Sequence, residues 1–131
     1  MTMLSMLCGT PYFLEDDSIE DTILFLEDIG EAPYKLDRIL QQWRLSGLLS
    51  RIKGLMLGTF TDCEGDEDEA DYDIGYEVLR YMEENRKRHL PDPFVCYVPT
   101  GHGTPHQTLP LGGHVHFRYI SNTIVLSPYT K

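Results

Sequence analysis

Two short, unbroken apolar runs, Thr22-Ile-Leu-Phe-Leu-Glu27 and Gly54-Leu-Met-Leu-Gly-Thr-Phe60, constrain this chain more than any other feature. Runs of this length without polar alternation fit strands buried on both faces, as in parallel sheets, and parallel neighbours need a crossover between them. The intervening residues supply one. After the turn-like Asp28-Ile-Gly-Glu31, Pro33 suits a first helical turn, and Leu36, Ile39, Leu40, Trp43 and Leu48 recur at helical spacing toward Gly47. The pattern predicts strand, amphipathic helix and strand, joined by a right-handed crossover with the helix's apolar face inward. Trp43 lies on that stripe and is expected in the core or at an interdomain surface rather than as a sugar platform.

Downstream, eight carboxylates crowd residues 62–73 (Asp62, Glu64, Asp66, Glu67, Asp68, Glu69, Asp71 and Asp73), so this stretch is expected to be a solvated loop. Ile74, Val78, Leu79 and Met82 then return to helical spacing, and Arg86, Lys87 and Arg88 fall where a helix C-terminus favours cations. Phe94-Val-Cys-Tyr-Val98 reads as a third strand, and the Gly and Pro residues of Pro99-Thr-Gly-His-Gly-Thr-Pro105 impose a loop. The end reads as a hairpin: His114–Ile120 alternates in period two, Ser121-Asn122 turns, and Thr123–Leu126 returns. The fold class predicted is α/β, with a partly parallel central sheet and a small antiparallel sheet.

A chain of 131 residues with 41% hydrophobic and 24% charged residues matches one ordinary globular domain. Its formal charge of -10 repels phosphate backbones and anionic lipid heads, which argues against nucleic acid and membrane surfaces as partners. No apolar run approaches the ~20 residues of a membrane span, and no secretory signal pattern opens the chain, so a cytoplasmic location is expected. Cys8, Cys63 and Cys96 are odd in number and widely spaced, which predicts free thiols in a reducing compartment.

Ligands of open α/β sheets gather beyond the carboxyl ends of parallel strands, and both Glu27 and His102 lie at or just past such an end. A His paired with a carboxylate suits general-base work, because the carboxylate fixes the imidazole tautomer and stabilises the imidazolium. Spacing alone favours the plainer reading, a surface Glu and an ordinary loop His. No G-x-S-x-G elbow accompanies the pair, so an active site built on it would lack its nucleophile. Metal readings fare poorly. Asp71-Tyr-Asp-Ile-Gly75 places its glycine one position too early for an EF-hand, and Gly103 and Pro105 keep His102 and His106 off a shared helical face. His114 and His116 fit one polar face of a strand better than a ligand pair.

Several ordered motifs, taken together, carry a family resemblance. Leu26-Glu-Asp-Ile-Gly-Glu-Ala-Pro-Tyr-Lys-Leu-Asp-Arg38, Gly101-His-Gly and Thr108-Leu-Pro-Leu-Gly112 resemble the C-terminal domain of the serine L,D-carboxypeptidases of murein recycling, peptidase family S66. Leu4-Ser-Met-Leu, Gly9-Thr-Pro-Tyr12 and Gly58-Thr-Phe-Thr-Asp62 extend the likeness over nearly the whole chain, whereas Thr100 stands where an aromatic commonly precedes Gly-His. The resemblance implies a swivelling β/β/α domain, residues 1–131, with a linker-like start over residues 1–20. It also implies a missing N-terminal domain that carries the nucleophilic Ser, and a Ser-His-Glu triad completed by Glu27 and His102. The implied substrate is a murein tetrapeptide, which loses its terminal D-Ala, and no metal or cofactor is required. Alone, such a half is expected to be inactive.

Two other functions stay open on these residues: a self-immunity peptidase of the same family that hydrolyses a toxic peptidyl-nucleotide analogue, and a non-catalytic binding domain. Arg38 fits a structural ion pair better than a substrate-carboxylate contact. A homodimer is expected, because the surface that an N-terminal domain would cover is apolar when bare.

Overall fold

A computed structural model of the chain describes residues 1–13, 19–65, 73–84, 93–120 and 123–128. Along it run helix α1 (Thr2–Ser5), strand β1 (Ile23–Ile29), helix α2 (Pro33–Leu45), a 3₁₀ turn (Leu48–Ser50) and strand β2 (Gly54–Thr61). Helix α3 (Ile74–Glu84), the short strand β3 (Phe94–Val95) and strands β4 (Val115–Ile120) and β5 (Thr123–Pro128) complete the order. Residues 66–72 of the expected acidic loop, the basic Arg86-Lys87-Arg88 and the Ser121-Asn122 turn lie outside the described residues. In the stretch expected to be linker-like, α1 forms and Met1 is buried.

The two apolar runs pair in parallel, from Ile23 opposite Gly54 to Leu26 opposite Leu57, and β3 pairs in parallel on the far side of β2. The sheet order is therefore β1-β2-β3, with β2 central. Central β2 is buried from Gly54 to Gly58, as the sequence predicts. On β1 only Leu24 and Leu26, on the face that packs with α2, are buried, while Ile23, Phe25 and Glu27 on the opposite face are half-buried, which corrects the expectation of burial on both faces.

Helix α2 begins at Pro33, whose lost N–H would have been unpaired in the first turn anyway, and ends just before Gly47, which adopts φ +79. Its stripe, Leu36, Leu40 and Trp43, meets Leu24, Leu26, Leu55 and Leu57 of the sheet in one cluster with Leu48, Leu49, Ile52 and Val78. Trp43 is 0% exposed. Each such side chain contributes roughly 1.5–3 kcal/mol by leaving water, so the sheet-helix interface is the main stabilising feature. Helix α3 presents buried Val78 and partly buried Ile74 to this cluster, while Leu79 falls at the edge of the stripe and is exposed.

Two departures from ideal pairing shape the carboxyl end of the sheet. The register between β1 and β2 passes from Leu26–Leu57 to Asp28–Phe60, so Gly58 and Thr59 of β2 together oppose Glu27 of β1, which is a β-bulge. The third strand is shorter than the predicted Phe94–Val98, because Tyr97 takes φ +59 and leaves the extended conformation. Beyond it the chain rejoins the sheet edge through Val98 N–H to Leu57 O at 2.9 Å and Thr59 N–H to Thr100 O at 3.0 Å. The predicted hairpin forms a separate antiparallel pair, β4 with β5, from Val115 opposite Pro128 to Ile120 opposite Thr123. The result is the expected α/β class, a three-stranded parallel sheet and a small antiparallel one.

Candidate active site

At the bulge, the strand that carries Glu27 meets the loop that carries His102. His102 Nδ1 lies 2.6 Å from Glu27 Oε2, although 75 residues separate the two in sequence. The carboxylate is an acceptor, so the Nδ1–H donates to it and Nε2 is left as the basic nitrogen of the neutral ring. Among the described residues Nε2 has no hydrogen-bond partner. The His102 side chain is 52% exposed and that of Glu27 is 27% exposed, so the pair sits at a surface and not in the core.

Glycines let the two main chains come this close. Gly101 adopts φ +122, which favours glycine, and a Cβ there would lie 2.8 Å from Thr59 Oγ1 and 3.0 Å from Glu27 Oε2. At the bulge, a Cβ on Gly58 would meet Thr100 O at 2.4 Å and the Phe25 ring at 2.8 Å. The loop also closes on itself. Gln107 N–H donates to Pro99 O at 2.7 Å, Thr100 Oγ1 donates to Gln107 O at 2.8 Å, and His106 Nδ1 lies 3.0 Å from Gly101 O.

Beside Glu27, burial alone would raise the Asp28 carboxyl, but hydrogen bonds prevail, that of the Thr2 N–H first among them, and hold it below its usual value. Asp73, at the start of α3, accepts the Tyr76 N–H at 2.9 Å and the Tyr97 hydroxyl. The Tyr97 hydrogen bond, with that of Tyr76, lowers the Asp73 carboxyl, and the same bond raises the Tyr97 phenol. A cleft of about 420 Å³ opens here, lined among others by Thr59, Phe60, Cys63, Asp73, Tyr97 and Thr104. Neither Glu27 nor His102 lines it, but Thr59 comes from β2, which pairs with the Glu27 strand, and Thr104 from the His102 loop.

The remaining sequence candidates fall elsewhere. Trp43 is core, and its indole N–H has no partner among the described residues. Arg38 stacks its guanidinium over the Tyr34 ring at 4.8 Å. Cys8, Cys63 and Cys96 are free thiols, and burial pushes Cys63 and Cys96 above the usual thiol range. Among the described residues, no group of three His, Cys, Asp or Glu side chains converges as a metal site, and no helix is long and apolar enough to cross a membrane. Sequence reasoning passes over Thr59 and the bulge, although an isolated Gly58 inside an apolar strand is the usual mark of a bulge or a close backbone approach.

Known proteins resemble this chain in sequence and in fold. A relative from Synechocystis sp. is 36% identical over 112 residues, which cover 86% of this chain and 35% of its own length. The murein tetrapeptide carboxypeptidase of Pseudomonas aeruginosa is 30% identical over 112 residues, or 86% of this chain and 34% of its own. Among solved structures, the muramoyltetrapeptide carboxypeptidase of Oxalobacter formigenes superposes with a TM-score of 0.72 and 34% identity, covering 95% of this chain and 41% of that one. The microcin C7 self immunity protein MccF shares the fold, with a TM-score of 0.65 and 19% identity over 86% of this chain and 31% of its own. The chain spans about a third of the length of the curated relatives it matches. Residues 1–117 match the family model of the LD-carboxypeptidase C-terminal domain, and to that family the chain belongs.

Proposed function

We propose that this domain supplies the base and its carboxylate partner to a serine-type L,D-carboxypeptidase that removes the terminal D-Ala from murein tetrapeptides. The observation that carries the proposal is the 2.6 Å contact between His102 Nδ1 and Glu27 Oε2 in a member of this family. Family membership supports the reaction class, and the contact supports the two roles.

The nucleophile is a serine hydroxyl from a preceding domain. It attacks the carbonyl carbon of the bond to D-Ala while His102 Nε2 accepts its proton. The tetrahedral intermediate collapses as His102 passes that proton to the amine of the leaving D-Ala, and an acyl-enzyme remains. Water then attacks the acyl carbonyl with His102 again as base, which frees the shortened peptide and restores the serine. Glu27 accepts the Nδ1–H throughout. It keeps Nε2 in the basic tautomer and stabilises the imidazolium without taking the proton itself.

Three free thiols suit a reducing compartment, and cytoplasmic murein recycling by a homodimer completes the proposal. The test is mass-spectrometric detection of D-Ala released from murein tetrapeptide by the chain alone and by the same chain expressed with the coding sequence that precedes it. Release by the longer protein only is the expected result. Release by neither would overturn the carboxypeptidase reading, and release by the chain alone would mean that the nucleophile lies within these residues.

A further inference from the structure

His102 is half exposed, and its ring makes a single hydrogen bond among the described residues, so side-chain packing does little to aim it. Its main chain must therefore be held from elsewhere, and the holder is on the strand beneath. Thr59 belongs to the pair of β2 residues that bulge opposite Glu27. Its hydroxyl spans both flanks of His102: it lies 3.2 Å from the carbonyl oxygen of Thr100, to which it donates, and accepts the Gly103 N–H at 3.2 Å. Its own main-chain N–H donates to the same Thr100 carbonyl at 3.0 Å. The methyl group faces the other half of the loop, since a Cβ added to Gly103 would approach Thr59 Cγ2 to 2.9 Å.

We infer that Thr59 is a positioning residue, which sets the His102 imidazole against Glu27 by clamping the loop on both sides of the histidine. A hydroxyl can donate and accept at once, and β-branching restricts the rotamer that aims it. Valine keeps the shape and loses both hydroxyl bonds, leaving the Gly103 N–H unpaired. Serine keeps the bonds and loses the methyl. The clamp follows from geometry alone, but its catalytic consequence rests on the function proposed above, so the test has one arm that is independent of activity.

That arm is the tautomer of His102, read from the ¹⁵N shifts of its ring nitrogens at alkaline pH in the chain and in Thr59→Val and Thr59→Ser. Free imidazole side chains favour the Nε2–H form, whereas a ring held against the Glu27 carboxylate carries its hydrogen on Nδ1. The wild type and Thr59→Ser are expected to keep the Nδ1–H form, and Thr59→Val to shift toward Nε2–H. Wild-type behaviour in a folded Thr59→Val would overturn the inference. So would loss of the Nδ1–H form in Thr59→Ser, which decides the matter if the valine variant does not fold. In a longer protein that releases D-Ala, Thr59→Val is expected to lower kcat about tenfold with KM changed less than about twofold, and Thr59→Ser to stay near wild type. Equal losses in both variants would contradict a role for the hydroxyl. A longer protein with no D-Ala release at all would count against the proposed function and leave the tautomer result standing.

Discussion

The face of the parallel sheet that meets α2 and the loop that lies across its bulge are held by different forces. Leu24, Leu26, Leu36, Leu40, Trp43, Leu55 and Leu57 lock the first by leaving water. Residues 99–107 bury little, and they are fixed by main-chain and hydroxyl hydrogen bonds to Thr59, to Gln107 and within the loop. Apolar burial is strong and non-directional, so it sets the global stability of the domain. Hydrogen bonds at a half-exposed site add little net free energy but specify direction, so they set where His102 points. Substitutions on the two sides should therefore fail in different ways.

The largest effect on stability is expected from Trp43→Ala, which empties the centre of the core and should cost about 3–5 kcal/mol in urea denaturation. A loss under about 1 kcal/mol would show that α2 is not the main support of the sheet. Gly101→Ala should act in the opposite manner. The φ of +122 and the crowding against Thr59 Oγ1 and Glu27 Oε2 strain the loop by about 1–3 kcal/mol. Because the new methyl crowds the Glu27 carboxylate that His102 must meet, D-Ala release by the longer protein should fall about 100-fold. Unchanged release would mean that the dyad does not need the close approach of these chains.

Much of the buried side was legible from the amino acids, because apolar periodicity and punctuation act locally. Pro33 and Gly47 bracket the helix, and the runs from Thr22 and Gly54 find each other in register. The Glu27–His102 contact was legible as an expectation, from strand ends and from the family resemblance, since it spans 75 residues and depends on how the loop returns. The bulge opposite Glu27, the left-handed Tyr97 that cuts β3 short and the Thr59 clamp were not read. Each arises where tertiary contact overrides local preference: nothing beside Thr59 in the sequence indicates that Thr100 and Gly103 will lie over it. The same holds for Asp73, which reads as one more carboxylate of an acidic stretch and instead caps α3 and receives the Tyr97 hydroxyl.

Asp73 offers the smallest and most selective test of the contrast, because its contribution is electrostatic and sits at a surface. Its folded carboxyl is lowered by the Tyr97 hydroxyl and the Tyr76 N–H. Stability from this group is thus present above the ordinary carboxylate value of 3.8 and is lost as the pH falls through the lower folded value. Asn caps helices as well as Asp, so Asp73→Asn removes the charge and keeps the cap. Urea denaturation should find the wild type more stable by on the order of a few tenths of a kcal/mol at neutral pH, with the difference vanishing in acid. A difference that persists unchanged in acid would assign the effect to shape and not to charge.

The most direct test of the division of labour combines thermal unfolding and D-Ala release in the longer protein for His102→Ala and Glu27→Gln. The division predicts melting midpoints within about 2 °C of wild type, because neither side chain belongs to the core. It predicts a fall in D-Ala release of at least about 10³-fold for each, because the base or its orienting partner is gone. Release that survives within tenfold, or variants that melt as early as Trp43→Ala, would contradict it.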